Sequence, residues 1–134
     1  MTATLVDTNV LFDYLSEDQQ WADWSASMLS AAAEQGAIVI NPIIYAEISV
    51  RNERLEDLEE APPRDYFVRA PLSWEAALLA GKAFVRHRRR SGAKRSPLPD
   101  FFIGAHAAAA GMTLLTRDAR RYRTYFPTLK IVCP

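Results

Sequence analysis

The sequence predicts an α/β fold: a mainly parallel central sheet of about four to five strands, covered by helices on both faces. Three observations lead there. Short apolar runs at 4–6, 37–40, 112–115 and 130–132 are separated by longer stretches of helical periodicity, and that alternation makes neighbouring strands parallel. Across 134 residues, 49% apolar and 24% charged side chains give a globular composition, sufficient for one core and too little for two. No internal repeat, low-complexity segment or break in composition divides the chain, so 1–134 is read as a single domain.

The elements follow in order. Thr4 to Val6 form a buried strand with Asp7 at its carboxyl end, and Val10, Leu11, Tyr14 and Leu15 recur at helical spacing until Ser16 to Asp18 break the helix. A second helix runs from about Gln20 to Ala33, with Trp21, Trp24 and Met28 on one stripe and Gly36 as its stop. After the strand at 37–40, Asn41 and Pro42 open a helix carrying Ile43, Ile44, Glu47 and Ile48. Asn52 caps a further acidic helix over 53–60, which Pro62 and Pro63 end. Ser73 caps the next helix, whose buried stripe is expected to be Trp74, Ala77, Leu78, Gly81, Phe84 and Val85. Residues 91–99 read as a loop, and Asp100 opens a helix to about Ala110 with Gly111 as its stop. A strand at 112–115, a helical turn over 118–125 and a last strand at 130–132 complete the chain.

Composition narrows the function classes. Cys133 is the only cysteine, which excludes an internal disulfide and a thiolate metal cage. No basic, apolar leader precedes the first strand, and no apolar stretch reaches the roughly 20 residues that span a bilayer, so a soluble cytoplasmic protein with no membrane partner is expected. The net charge of zero hides an asymmetry. Residues 1–67 hold 3 Lys/Arg against 13 Asp/Glu, a balance of −10, and residues 68–134 hold 13 against 3, a balance of +10. If the fold separates the two halves, one side attracts anions.

The chemistry rests on four acids. Asp7 ends the run LVDTN, Glu47 lies inside PIIYAEI, Asp100 opens DFFIGAHAAAAG, and Asp118 follows LLTRD. Each lies at a strand end or in an apolar stretch, where a solvated carboxylate is least expected. Gathered by folding, they would repel by roughly 4 kcal/mol per close pair at an effective dielectric near 20. A hard divalent cation with oxygen ligands is the natural counterweight.

The stretches LVDTNVLFDYL, PIIYAEI, LPDFFIGAHA and LLTRDARRY, in that order and spacing, resemble the PIN-domain family, most closely its VapC-type toxin ribonucleases. The resemblance spans nearly the whole chain. It implies a PIN-like fold and a metal-dependent endoribonuclease, the toxin of a toxin–antitoxin pair, acting on RNA as a homodimer held by a protein antitoxin. Its acidic positions fall on Asp7, Glu47, Asp100 and Asp118, and Thr8, Asn9 and Thr116 match the polar positions that support them. In this reading one or two Mg²⁺ or Mn²⁺ ions hold the scissile phosphate and activate a water, so no histidine base is needed. Asp7 and Asp100 would be primary ligands, Glu47 and Asp118 would complete the site, and Asn9 and the Thr116 hydroxyl would orient carboxylates and waters. Products would carry a 5′-phosphate and a 3′-hydroxyl.

Plainer roles stand beside these. Asp7 and Asp100 can cap helices, Asp118 can serve a turn, and Glu47 can sit at the edge of its stripe with its carboxylate in water. The run containing Arg86, Arg88, Arg89 and Arg90, followed by Lys94 and Arg95, is either a solvated helix end favoured by the dipole or an RNA-backbone arm, and its density favours the arm. His106 reads as a packed histidine, and His87 belongs to the basic run. The Trp21, Trp24 and Met28 stripe reads as core, or, if part of it is exposed, as a seat for an antitoxin segment or second subunit. An aspartyl-nucleophile phosphatase would want a second acid where Asn9 stands, and a receiver domain would want an early acidic pair and a late lysine. The competing readings that remain are a catalytically silent PIN-like RNA-binding or scaffolding domain and a housekeeping RNA-processing nuclease.

Overall fold

The computed structural model describes residues 2–51, 66–91 and 98–134. The helix expected over 53–60 and the basic residues Lys94 and Arg95 lie outside them. Among the described residues, strands β1 (Thr4–Val6), β2 (Ile38–Ile40), β3 (Phe67–Arg69), β4 (Thr113–Leu115) and β5 (Ile131–Val132) alternate with helices α1 (Thr8–Ser16), α2 (Ala22–Gln35), α3 (Pro42–Arg51), α4 (Trp74–Ser91), α5 (Leu98–Ala110) and α6 (Arg120–Tyr125). The strands form one sheet in the order β3-β2-β1-β4-β5, with every pairing parallel. Successive side chains of a strand point to opposite faces. All residues of β1, β2 and β4 are buried, so the sheet is covered on both faces, as expected. No helix among the described residues is long and apolar enough to cross a membrane.

Local chemistry sets the element ends. The Asn41 Oδ1 accepts from the Ile44 N–H at 2.9 Å and caps α3, and the Ser73 Oγ accepts from the Ala76 N–H at 3.0 Å and caps α4. Gly111 leaves α5 with φ +67°, the left-handed conformation that glycine adopts without a Cβ penalty. The Asn41 cap has a second use. With Oδ1 committed to Ile44, its Nδ2 donates to Nδ1 of His106 at 2.9 Å, so His106 presents an acceptor there. Burial pushes the imidazole pKa below its ordinary value, which favours that neutral form. His106 is the packed histidine that its sequence context predicts, and it joins α5 to the cap of α3.

Two expectations need correction. The strand β3 has no counterpart in the sequence reading, because Val68 and Arg69 are exposed at the sheet edge and only Phe67 enters the core. The stripe expected to be buried on α4 is largely the wrong one. Trp74, Leu78 and Val85 are 94%, 63% and 45% exposed and Gly81 is also exposed, whereas Ala76, Ala80 and Ala83 are fully buried, with Ala77 and Phe84 half-buried. The alanines let α4 lie close against α5, so the packing follows small side chains and turns the large ones outward. Phe84, His87, Phe101 and Tyr125 then form a ring cluster with centroids 5.3–5.9 Å apart, tying α4, α5 and α6 together.

Candidate metal centre

Strand β1 is central, with β2 on one side and β4 on the other, so the direction of strand order reverses at β1. Ligand crevices of open parallel sheets form outside the carboxyl ends of strands at such a reversal. Val6 pairs with Leu115, and the Asp7 N–H donates to the Leu115 carbonyl at 2.9 Å. Asp7 and Thr116 therefore emerge side by side, although 109 residues separate them. Helix α3 leaves the carboxyl end of β2 and brings Glu47, α5 brings Asp100 in its first turn, and the segment after β4 brings Asp118.

All four acids line one cavity of about 430 Å³, together with Thr8, Asn9, Phe12, Val50, Arg117, Arg121 and Tyr122. Asp7 lies deepest, at 5% exposure. Its Oδ1 accepts from the Thr8 N–H at 2.7 Å, so it does cap α1, and its Oδ2 accepts from the Thr116 hydroxyl at 2.8 Å and the Tyr122 hydroxyl at 2.9 Å. Burial lifts its carboxyl pKa from an ordinary 3.8 to about 6. The Thr116 hydroxyl opposes that rise, the Asp100 charge adds to it, and the bonds from Tyr122 and the Thr8 N–H oppose it. Burial also raises the Asp100 pKa, against the Arg121 guanidinium and with the help of the Glu47 and Asp118 charges. The acids thus feel one another's charge. The Tyr122 hydroxyl is pushed well above its ordinary value by burial and by Asp7, Asp100 and Glu47, so it stays protonated and donating.

The supporting groups bridge elements. The Thr8 hydroxyl donates to Glu47 Oε1 at 2.6 Å. Asn9 Oδ1 accepts from the Arg117 N–H at 3.2 Å and its Nδ2 reaches Thr116 Oγ1 at 3.4 Å, fixing α1 to the segment after β4. Thr116 Oγ1 also accepts from the Asp118 N–H at 3.1 Å. Asp118 is exposed and its Oδ1 accepts from the Arg120 N–H at 3.3 Å, the turn role that its position allows.

Three side chains at this cavity escape sequence reasoning, and all three act across long separations. Tyr122 reaches back 115 residues to Asp7. Arg117 pairs with buried Asp13 of α1, Nε to Oδ2 at 2.6 Å and Nη2 to Oδ1 at 3.3 Å, and its guanidinium lies 5.0 Å from the Trp21 ring centroid. Arg121 pairs through Nη1 with Asp100 Oδ2 at 2.7 Å. All three lie within LLTRDARRY, but no period in that stretch singles them out or points to their distant partners. The run at 86–90 stands elsewhere. Arg86 donates to the Tyr125 carbonyl at 3.0 Å, Arg90 lies over the Tyr125 ring and Arg88 over Phe84, all three are exposed, and none of Arg86, Arg88, Arg89 or Arg90 lines the cavity.

The donor chemistry fits a hard divalent ion, since four carboxylates in one cavity, one of them deeply buried, supply anionic oxygens. They are not yet gathered into a cage: among the described residues no three His, Cys, Asp or Glu side chains stand close enough together to hold an ion. Two of the four have other partners, Asp100 with Arg121 and Glu47 with Thr8.

Known proteins share this fold. Solved structures of similar fold include VapBC2 from Rickettsia felis bound to a promoter DNA fragment, at 17% identity with 98% of each chain covered and a TM-score of 0.77. VapBC-1 from nontypeable Haemophilus influenzae is similar at 16% identity, with 98% of this chain and 97% of that one covered and a TM-score of 0.72. VapC20 from Mycobacterium tuberculosis, described as a sarcin-ricin loop cleaving toxin, is similar at 12% identity, with 90% and 94% covered and a TM-score of 0.63. No curated protein sequence shows significant similarity. The PIN domain model matches residues 4–127, from the first residue of β1 to just past α6. With nearly its whole length accounted for by that model, the chain belongs to the PIN-domain family.

Proposed function

We propose that this protein is a divalent-metal-dependent endoribonuclease, the toxin of a toxin–antitoxin pair. The observation that carries the reading is the convergence of Asp7, Glu47, Asp100 and Asp118 on one cavity at the strand-order reversal. Asp7 and Asp100 are assigned as primary ligands of Mg²⁺ or Mn²⁺, with Glu47 and Asp118 completing the site directly or through water. An ion there would supply a Lewis acid for the scissile phosphate and a lowered pKa for an attacking water, leaving 5′-phosphate and 3′-hydroxyl ends.

The chain's own residues supply the rest. Thr116 and Tyr122 fix the Asp7 carboxylate through Oδ2, and the Thr8 hydroxyl orients Glu47. Held by Asp13 and lying over the Trp21 ring, Arg117 is a fixed cation at the cavity wall, suited to a phosphate oxygen. The exposed cations of α4, with Lys94 and Arg95, are assigned to the RNA backbone beyond the site. Partners in this reading are RNA, a protein antitoxin and a second copy of the chain. Similar structures described as a toxin–antitoxin complex from Klebsiella pneumoniae and as a member of the VapBC family of toxin–antitoxin systems from Mycobacterium tuberculosis support the antitoxin, and the outward apolar face of α4 supports a protein partner. Expression in a bacterial host tests the toxin role. Wild type is expected to arrest growth and Glu47→Gln at equal abundance to spare it; equal growth with both would contradict a toxin and favour a housekeeping enzyme or a silent binding module.

A further inference from the structure

The two arginines at the acidic cavity are held differently. Arg117 is ion-paired through Nε and hydrogen-bonded through Nη2 to an aspartate that is 3% exposed, and lies over an indole ring, so moving it would strand a buried charge. Arg121 sits at the first turn of α6, with its side chain 33% exposed, and makes a single 2.7 Å contact to Oδ2 of Asp100, itself 30% exposed. A pair so open to water is weak and readily exchanged. Its acceptor is the same carboxylate that the nuclease reading assigns to a metal. The guanidinium therefore stands where a cation is wanted, against one of the four carboxylates that share the cavity.

We propose that Arg121 is an exchangeable counterion of Asp100: it neutralises the acidic cavity until a divalent cation takes the carboxylate, and the released guanidinium then binds a phosphate oxygen of the RNA beside the site. The inference rests on the nuclease reading and adds a role within it. Metal and substrate are thereby coupled, because the same side chain opposes the first and, once displaced, holds the second. The coupling predicts effects of opposite sign from one substitution. A residue that merely braces α6 would give neither.

The test uses the full chain and two readouts, Mn²⁺ affinity by calorimetry and the RNA concentration that half-saturates cleavage. Arg121→Gln is expected to bind Mn²⁺ about tenfold more tightly, since no guanidinium then competes with the ion for the Asp100 carboxylate, and to need about tenfold more RNA, with a shallower salt dependence. Arg121→Lys, which keeps the charge, should remain near wild type in RNA requirement. In an Asp100→Asn background, Arg121→Gln should no longer tighten Mn²⁺ binding. Unchanged or weaker Mn²⁺ binding by Arg121→Gln would overturn the counterion role, and an unchanged RNA requirement would overturn the phosphate role. A wild type that binds no Mn²⁺ would remove the metal reading and this inference together, whereas metal binding without the predicted shift would remove this inference alone.

Discussion

Asp7 concentrates the conflict between stability and function. Its folded pKa of about 6 lies above the unfolded 3.8, so between those values the folded state holds the extra proton. Stability without metal is therefore greatest below pH 3.8 as far as this group is concerned, falls as pH rises, and bears the whole cost of about 3 kcal/mol above pH 6. Asp7→Asn removes that cost and is expected to raise Tm at pH 7 in EDTA, with a gain that shrinks at pH 4; an equal or lower Tm at pH 7 would contradict the burial argument. The same value sets the acid limb of function. Metal binding requires the carboxylate, so Mn²⁺ affinity in wild type should decline as pH falls through about 6. Tyr122 is the second residue whose role is specific. Tyr122→Phe keeps the ring and removes one donor from Asp7, so Mn²⁺ affinity should weaken about tenfold with the fold unchanged. Undiminished affinity would show the hydroxyl to be a packing detail. The four acids are legible in the sequence because each interrupts an apolar run. Tyr122, Asp13 and the two arginines are not, since their partners lie 21 to 115 residues away and only the strand order brings them near.

At the scale of elements, the site depends on how tightly α5 meets α6. Gly104 of α5 faces Tyr122 and Phe126: a Cβ there would come within 2.5 Å of the Phe126 ring and 2.9 Å of the Tyr122 ring. Both rings are buried, at 3% and 6% exposure, so they have little room to retreat. Gly104→Ala is expected to destabilise the protein by about 1–3 kcal/mol and, by shifting Tyr122, to weaken metal binding as well. A thermal melt indistinguishable from wild type would contradict the close packing. Elements with a strong local signal are legible: β1 and β4 as apolar runs, α3 by Asn41–Pro42, α4 by its Ser73 cap, the end of α5 by Gly111. The strand β3 is not, because one inward side chain in three leaves no alternation to read. The inward face of α4 is misread because size alone favours Trp74 and Leu78, while close approach to α5 favours alanine.

Across the whole molecule, the cavity draws on both halves of the chain. Strands β1 and β2 come from the acidic half of the chain, β4 and β5 from the basic half and β3 from their boundary, and β1 and β4 meet at a seam in the sheet. The cavity lies at that seam. Asp7 and Glu47 enter from the acidic half, and Asp100, Asp118, Arg117 and Arg121 from the basic half. Carboxylates and guanidiniums thus meet at one site, the combination that the proposed metal-dependent phosphodiester hydrolysis would use. The measurement that tests this most directly is cleavage of a mixed cellular RNA pool by purified wild type and Asp7→Asn, each with Mg²⁺, Mn²⁺ or EDTA. Cutting by wild type alone, only with metal, leaving 5′-phosphate ends, is the predicted result. Folded wild type that cuts under no metal, or Asp7→Asn that cuts as well as wild type, would contradict it.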